Sequence, residues 1–219
     1  MSDLRKKNGR TEPWKVKFWG IGNEAWGCGG NMTAEYYAGE YRKFATFMSD
    51  WENTGGITRI ASGSNSSDYN WTEVLMRDIP HHMLEGIALH HYSVINWDKK
   101  GPAANFTEEH YFKTMQQALF MDELIQKHTA IMDKYDPEKR IGMIIDEWGT
   151  WFEVEPGTNP GFLYQQNTMR DAMLAGMTLN IFNNHADRVK MANLAQLLRL
   201  QPRNRELKHR LRFFICIMS

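Results

Sequence analysis

Residues 141–151 read IGMIIDEWGTW. A short apolar run, 141–145, ends in the acidic pair Asp146-Glu147 and then in Trp148. Runs of this length and polarity suit strands buried on both faces, as in parallel sheets. Four other segments share the character, at residues 16–22 (VKFWGIG), 57–62 (ITRIAS), 86–90 (GIALH) and 189–194 (VKMANL). Each ends in polar residues, and long helical patterns lie between them.

Residues 33–51 place Tyr37, Tyr41, Phe44, Met48 and Trp51 at three- and four-residue steps. Thr33 is the N-cap, and Glu35 in the first turn suits the positive end of the helix dipole. Residues 107–135 repeat the pattern with Phe112, Met115, Leu119, Ile125 and Met132. Thr107 caps that helix, Glu108 and Glu109 follow, and Pro137 stops it. A third helix covers 167–184, after a Gly/Pro-rich loop at 156–161, and a shorter one lies near 71–77. The β-α-β-α alternation predicts a parallel α/β architecture. The apolar runs start near positions 16, 57, 86, 141 and 189, so one unit takes about 40 residues. Eight such units would need roughly 300 residues or more. Five strands therefore make either an open doubly wound sheet or part of a larger barrel.

The chain has 219 residues, with 26 basic and 26 acidic side chains. Zero net charge excludes a nucleic-acid binder driven by bulk charge. Eight Trp, eight Tyr and eleven Phe exclude global disorder. Two cysteines, Cys28 and Cys216, make no disulfide framework. Residues 1–17 are polar and lack the apolar core of a signal peptide. No run of about 18 apolar residues occurs, so no membrane helix is expected. The expectation is a cytoplasmic protein without nucleic-acid or membrane partners. Four N-x-[ST] matches, at Asn31, Asn65, Asn70 and Asn105, then read as chance. Residues 197–219 hold six Lys/Arg against one acidic residue, leaving 20 basic against 25 acidic, net −5, elsewhere. This basic tail reads as a solvated end rather than a membrane-surface helix.

In parallel α/β folds the carboxyl ends of the strands carry the sites. The first run ends in Asn23-Glu24 and the fourth in Asp146-Glu147, with Trp19, Trp26, Trp148 and Trp151 nearby. Two carboxyls facing one cleft are the minimum equipment for glycoside hydrolysis, one protonated and one ionised. The alternative is a buried carboxylate bonded to Trp or Tyr. His81-His82 and His90-His91 lack zinc spacing, and HExxH, CxxC and EF-hand patterns are absent, so no metal and no cofactor are expected. The glycine-rich stretch 20–30 is no phosphate loop, because no Gly-Lys-Ser/Thr follows it. Cys28, four residues after Glu24, reads as a packing cysteine near the cleft.

The stretch Trp19-Gly20-Ile21-Gly22-Asn23-Glu24 resembles the acid/base strand end of glycoside hydrolase family 51, the α-L-arabinofuranosidases. Residues 144–151 (IIDEWGTW) resemble its nucleophile strand; 156–173 (PGTNPGFLYQQNTMRDAM) and 191–196 (MANLAQ) are also similar. The likeness runs from about residue 1 to 196. It implies retaining exo-glycosidase chemistry on a (β/α)8 barrel with an attached β-sandwich. Glu24 would be the acid/base and Glu147 the nucleophile. Asn23 would bond the sugar 2-hydroxyl, Tyr92 would hold the nucleophile, and His90 would position the acid/base. Gln196 would contact the arabinofuranose, and Trp151 would line the pocket. The substrate class implied is arabinose-containing oligosaccharides or polysaccharides, and the family's habit of forming homo-oligomers extends to this chain.

The resemblance makes the five strands the family's fourth to eighth, a partial TIM barrel over 1–196 without the first strands or the β-sandwich. Residues 197–219 leave the family pattern, as a frameshifted or truncated end would. A partial barrel has two open strand edges. Weak or absent activity of the isolated chain, or association through those edges, is the expectation. A non-catalytic sugar-binding fragment and another retaining glycosidase, such as a β-xylosidase, are the competing readings.

Overall fold

A computed structural model describes residues 2–51, 55–195 and 215–217. Its sheet holds β1 (Phe18–Ile21), β2 (Thr58–Asn65), β3 (Gly86–Ser93), β4 (Gly142–Thr150), β5 (Val189–Leu194) and β6 (Ile215–Ile217). The helices are α1 (Ser2–Lys7), α2 (Ala34–Thr46), α3 (Tyr69–Asp78), α4 (Glu108–Tyr135) and α5 (Met169–Asn184). Strands β1 to β5 lie side by side in chain order, all parallel. A doubly wound sheet reverses its strand order at a switch point, whereas a barrel never does. The unreversed order therefore decides between the two architectures left open by the strand count: the chain forms a five-stranded parallel half-barrel. Strand β6 pairs antiparallel with β5, in the tail where no strand was expected. The rest of the basic tail and Gln196 lie outside the described residues.

The caps explain where the helices start. Thr33, Asp68 and Thr107 each accept a backbone N–H of the first turn of α2, α3 and α4. Thr168 and Asp171 form a reciprocal capping box on α5. Each cap is worth about 1 kcal/mol. Helix α2 ends at Thr46 rather than at Trp51. Its buried stripe is Ala34, Tyr37, Ala38, Tyr41 and Ala45, so small residues bring it close to the sheet. Phe44 and Trp51 are exposed, as are Phe112 and Leu119 on the far side of α4 from its buried stripe. Apolar spacing alone did not separate these residues from the core. Helix α1 was not expected and buries nothing.

Alternation along the strands builds two apolar layers. Ile21, Ala61, Ile87, Leu89, Met143, Ile145, Val189 and Ala192 pack outward against the helices. Ile60, Ala88, Ile144 and Met191 form a small inner cluster on the opposite face. Below the sheet, at the amino ends of β4 and β5, fully buried Arg188 donates to Asp136 Oδ2 at 2.9 Å and also pairs with Asp133. That ion pair ties the α4–β4 turn to the α5–β5 turn, away from the carboxyl ends of the strands.

Candidate active site

His90 lies two residues beyond Ala88 and faces the same inner side, directly above the inner cluster. His91 alternates outward, where its ring nitrogens meet Ser66 Oγ and the Gln117 carbonyl. His81 meets the Met76 carbonyl. Among the described residues, only His90 of these histidines joins a group with metal-ligand spacing, together with Glu24 and Glu147.

Strand β4 brings its acidic pair to His90 through a bulge. Ala88 pairs with Ile144 but His90 pairs with Glu147, so β4 carries one extra residue across the interval. A bulge suspends the up–down alternation and re-aims side chains. Asp146 and Glu147, though adjacent, both reach the His90 ring: Asp146 Oδ1 lies 3.1 Å from Nε2, and Glu147 Oε2 3.1 Å from Nδ1. A matching bulge in β2 sits at Gly63, where a Cβ would fall 1.5 Å from the Ala88 carbonyl oxygen.

Glu24 reaches the same ring from the loop after β1, at a left-handed φ of 44°. The loop curls around the Glu24 carbonyl, which accepts N–H bonds from Gly27 and Gly29. A Cβ on Gly29 would lie 1.7 Å from the Asn23 carbonyl oxygen, so only glycine permits the curl. This accounts for the glycine-rich stretch. Ala25 N–H donates to Ser62 Oγ and Trp26 Nε1 to the Gly63 carbonyl, pinning the loop to β2. Glu24 Oε1 then accepts from His90 Nδ1 at 3.0 Å.

One imidazole thus meets three carboxylates. Burial, the largest single influence, disfavours its charge, but Asp146, Glu24 and Glu147 outweigh burial and push His90 up to about 9. His90 is therefore an imidazolium at neutral pH, the counter-charge that lets two carboxylates share one cleft. Ligand atoms of Glu24, His90 and Glu147 lie within 4.8 Å of one another. A group raised in the folded state stabilises fully below its unfolded value near 6.5, and that stabilisation is lost as pH rises through about 9. The thermal midpoint is expected to fall over this window, and to fall less in His90→Gln; identical slopes would contradict the assignment.

Tyr92 donates from its hydroxyl to Glu147 Oε1 at 2.5 Å. Its ring meets Trp151 edge-on at 5.0 Å, and Trp151 meets Trp97 at 5.9 Å. Asn23 is exposed at the mouth of the loop, beside Glu24. Trp148, in contrast, does not belong to the cleft: it is buried outward against Phe182, at 5.0 Å between rings. Cys28 is exposed rather than packed, with Sγ 3.2 Å from Glu24 Oε2, and that hydrogen bond heads the influences raising its thiol pKa. Sequence reasoning left out two members, Asp146 on the far nitrogen of His90 and Trp97 beside Trp151, and it placed Cys28 near the cleft without its bond to Glu24. The Asp146-Glu147 doublet and the spacing of Cys28 from Glu24 carried a signal, but the bulge that turns both acidic residues inward leaves no mark in composition.

The model of the α-L-arabinofuranosidase 1 domain matches residues 1–128, and that of the α-L-arabinofuranosidase C-terminal domain matches 146–203. An intracellular exo-α-L-arabinofuranosidase of Bacteroides ovatus is 48% identical over 90% of this chain. An intracellular exo-α-(1→5)-L-arabinofuranosidase of Halalkalibacterium halodurans is 32% identical, also over 90%. The crystal structure of the family 51 arabinofuranosidase from Xanthomonas axonopodis pv. citri superposes with a TM-score of 0.82 and 47% identity, over 89% of this chain. The chain spans 38%, 40% and 39% of these three proteins. With its first 128 residues matched by the family's own domain, its half-barrel shared and its identity near one half, the chain belongs to the α-L-arabinofuranosidases of glycoside hydrolase family 51.

Proposed function

We propose that this chain carries the chemistry of a retaining exo-α-L-arabinofuranosidase, releasing terminal non-reducing α-L-arabinofuranosyl residues from arabinose-containing oligosaccharides or polysaccharides. The observation that carries the reading is the pair of carboxylates, Glu24 and Glu147, held on a single imidazolium nitrogen. Oxygens that both lie about 3 Å from one atom are too close for a water to sit between them in line, as inversion would need. Glu147, ionised and accepting from Tyr92, attacks C1 of the sugar. Glu24 delivers its proton to the leaving oxygen, then takes one from the water that opens the glycosyl-enzyme. Asn23 faces the 2-hydroxyl, and Trp151 forms the wall. Gln196, outside the described residues, completes the ring of sugar contacts in this reading.

Strands β1 to β5 would be the fourth to eighth of the full barrel, with residues 1–196 as the catalytic unit and 197–219 as a tail apart from it. Trp14, Val16, Phe18 and Trp19 are exposed at and before the β1 edge. An open apolar edge of this kind supports weak turnover by the isolated chain and a tendency to associate. The names of the relatives place those proteins inside the cell, and a cytoplasmic location is proposed here too. No described helix is long and apolar enough to cross a membrane.

The test is hydrolysis by the purified chain of a panel of aryl glycosides. Slow but measurable release from aryl α-L-arabinofuranoside, above release from aryl β-xyloside, is expected. Preference for the xyloside would transfer the chain's chemistry to another retaining class. Arabinose binding without turnover would leave a sugar-binding fragment.

A further inference from the structure

Arg170, in the first turn of α5, is 1% exposed. Its guanidinium lies between two rings, 3.8 Å from the Phe106 centroid and 3.6 Å from that of Phe152. One nitrogen donates to His110 Nδ1 at 2.9 Å; the other donates to the carbonyls of Pro102 and Ala103 at 3.0 and 2.9 Å. Burial, and then the charge of Arg170, holds His110 below its ordinary value, so its Nδ1 is free to accept. His110 Nε2 in turn meets the Lys100 carbonyl at 3.1 Å. Gly101 makes the approach feasible, since a Cβ there would lie 2.1 Å from His110 Nε2.

These contacts span two loops. Phe106, Pro102 and Ala103 belong to the β3–α4 loop, which carries Trp97. Phe152 belongs to the β4–α5 loop, which carries Trp151. The loops also bond to each other, Lys100 N–H to Glu153 Oε1 and Glu153 N–H to the Gly101 carbonyl, both at 2.9 Å. Among the described residues no carboxylate lies within ion-pair distance of Arg170. An apolar side chain would fill the same space without the cost of burying a charge. The guanidinium adds directed contacts in one plane and two stacked faces, which a lysine cannot supply.

We propose that Arg170 is a positioning residue that clamps the two loops together and so fixes the wall of Trp97, Trp151 and Tyr92 beside Glu147. Sugar affinity then depends on a side chain that touches neither sugar nor catalytic carboxylate. The effect on affinity rests on the arabinofuranosidase reading, while the clamp itself does not.

The test compares the full-length chain with Arg170→Met and Arg170→Lys, by hydrogen exchange and by kinetics on aryl α-L-arabinofuranoside. Exchange is expected to quicken selectively in peptides covering 94–107 and 151–168, and to stay unchanged in β2. KM is expected to rise about tenfold in Arg170→Met while kcat stays within about threefold, with Arg170→Lys between the two proteins. An unchanged KM, or faster exchange spread evenly over the chain, would reduce Arg170 to packing and overturn the proposal. Should Arg170→Met fail to fold, Arg170→Lys carries both measurements. Absence of hydrolysis by the unsubstituted chain would sink the arabinofuranosidase reading instead. The exchange pattern alone then decides the clamp: selective loosening upholds it, and no loosening overturns it.

Discussion

Glu147→Ala is expected to bring hydrolysis of aryl α-L-arabinofuranoside to background, a fall of roughly 10⁴-fold or more where the parent rate permits its measurement. On the proposed mechanism, no other carboxylate among the described residues of the cleft is placed to substitute for it. Asp146, the nearest carboxylate on the same strand, faces the opposite nitrogen of His90. Glu24 approaches from another loop and, in the proposed mechanism, delivers a proton during the same step. The fold should survive, since Glu147 is partly exposed and contributes no core packing. Removing it relieves repulsion between carboxylates but also takes away one partner of the His90 imidazolium and the acceptor of Tyr92, so the thermal midpoint is expected to change little. Loss of activity with a retained midpoint separates a chemical role from a structural one. Residual turnover within tenfold of the parent would assign the nucleophile elsewhere.

How much of this was legible in the sequence differs by level. Apolar runs bounded by polar residues placed all five parallel strands; β2 to β5 are largely buried and leave a continuous apolar record, whereas β1, expected to be buried on both faces, is an edge strand with only Ile21 buried. Thr33 and Thr107 were readable as caps because an N-cap is a local bond. The choice between a wound sheet and a barrel was not readable from strand spacing, since it depends on which strands pair; the unreversed order settles it. The ends of α2 and the exposed faces of Phe44, Phe112 and Leu119 were misjudged for a related reason: spacing gives a stripe, but the neighbour decides its width. Glu24 and Glu147 stood out at strand ends, and the resemblance assigned their roles. Trp148 sat beside Glu147 in the chain, yet alternation after the bulge sent it outward into the core. Asp146 and Arg170 act through contacts that exist only once segments distant in sequence have met, and Cys28 meets Glu24, four residues away, only through the curl of their shared loop.

Glu24→Ala should behave differently from the nucleophile variant, and the difference tests the two-step mechanism. With a leaving group as acidic as dinitrophenolate, departure needs no proton, so the first step should keep much of its rate. The second step loses its general base, a contribution of about 10²–10⁴-fold. The glycosyl-enzyme should therefore accumulate, seen as a burst of phenolate and as a protein mass raised by one arabinosyl unit on the peptide containing Glu147. A poor leaving group, such as an unsubstituted sugar, should hardly react at all. Azide needs no base to attack, and the vacated Glu24 position gives it room, so added azide should displace Glu147 from C1, restore turnover and, by two successive inversions, yield an arabinosyl azide of the same anomeric configuration as the substrate. His90 loses one of its three carboxylates in this variant and should titrate below about 9. A variant with neither burst nor azide rescue, but equal loss for good and poor leaving groups, would mean that Glu24 organises the cleft rather than moving a proton within it.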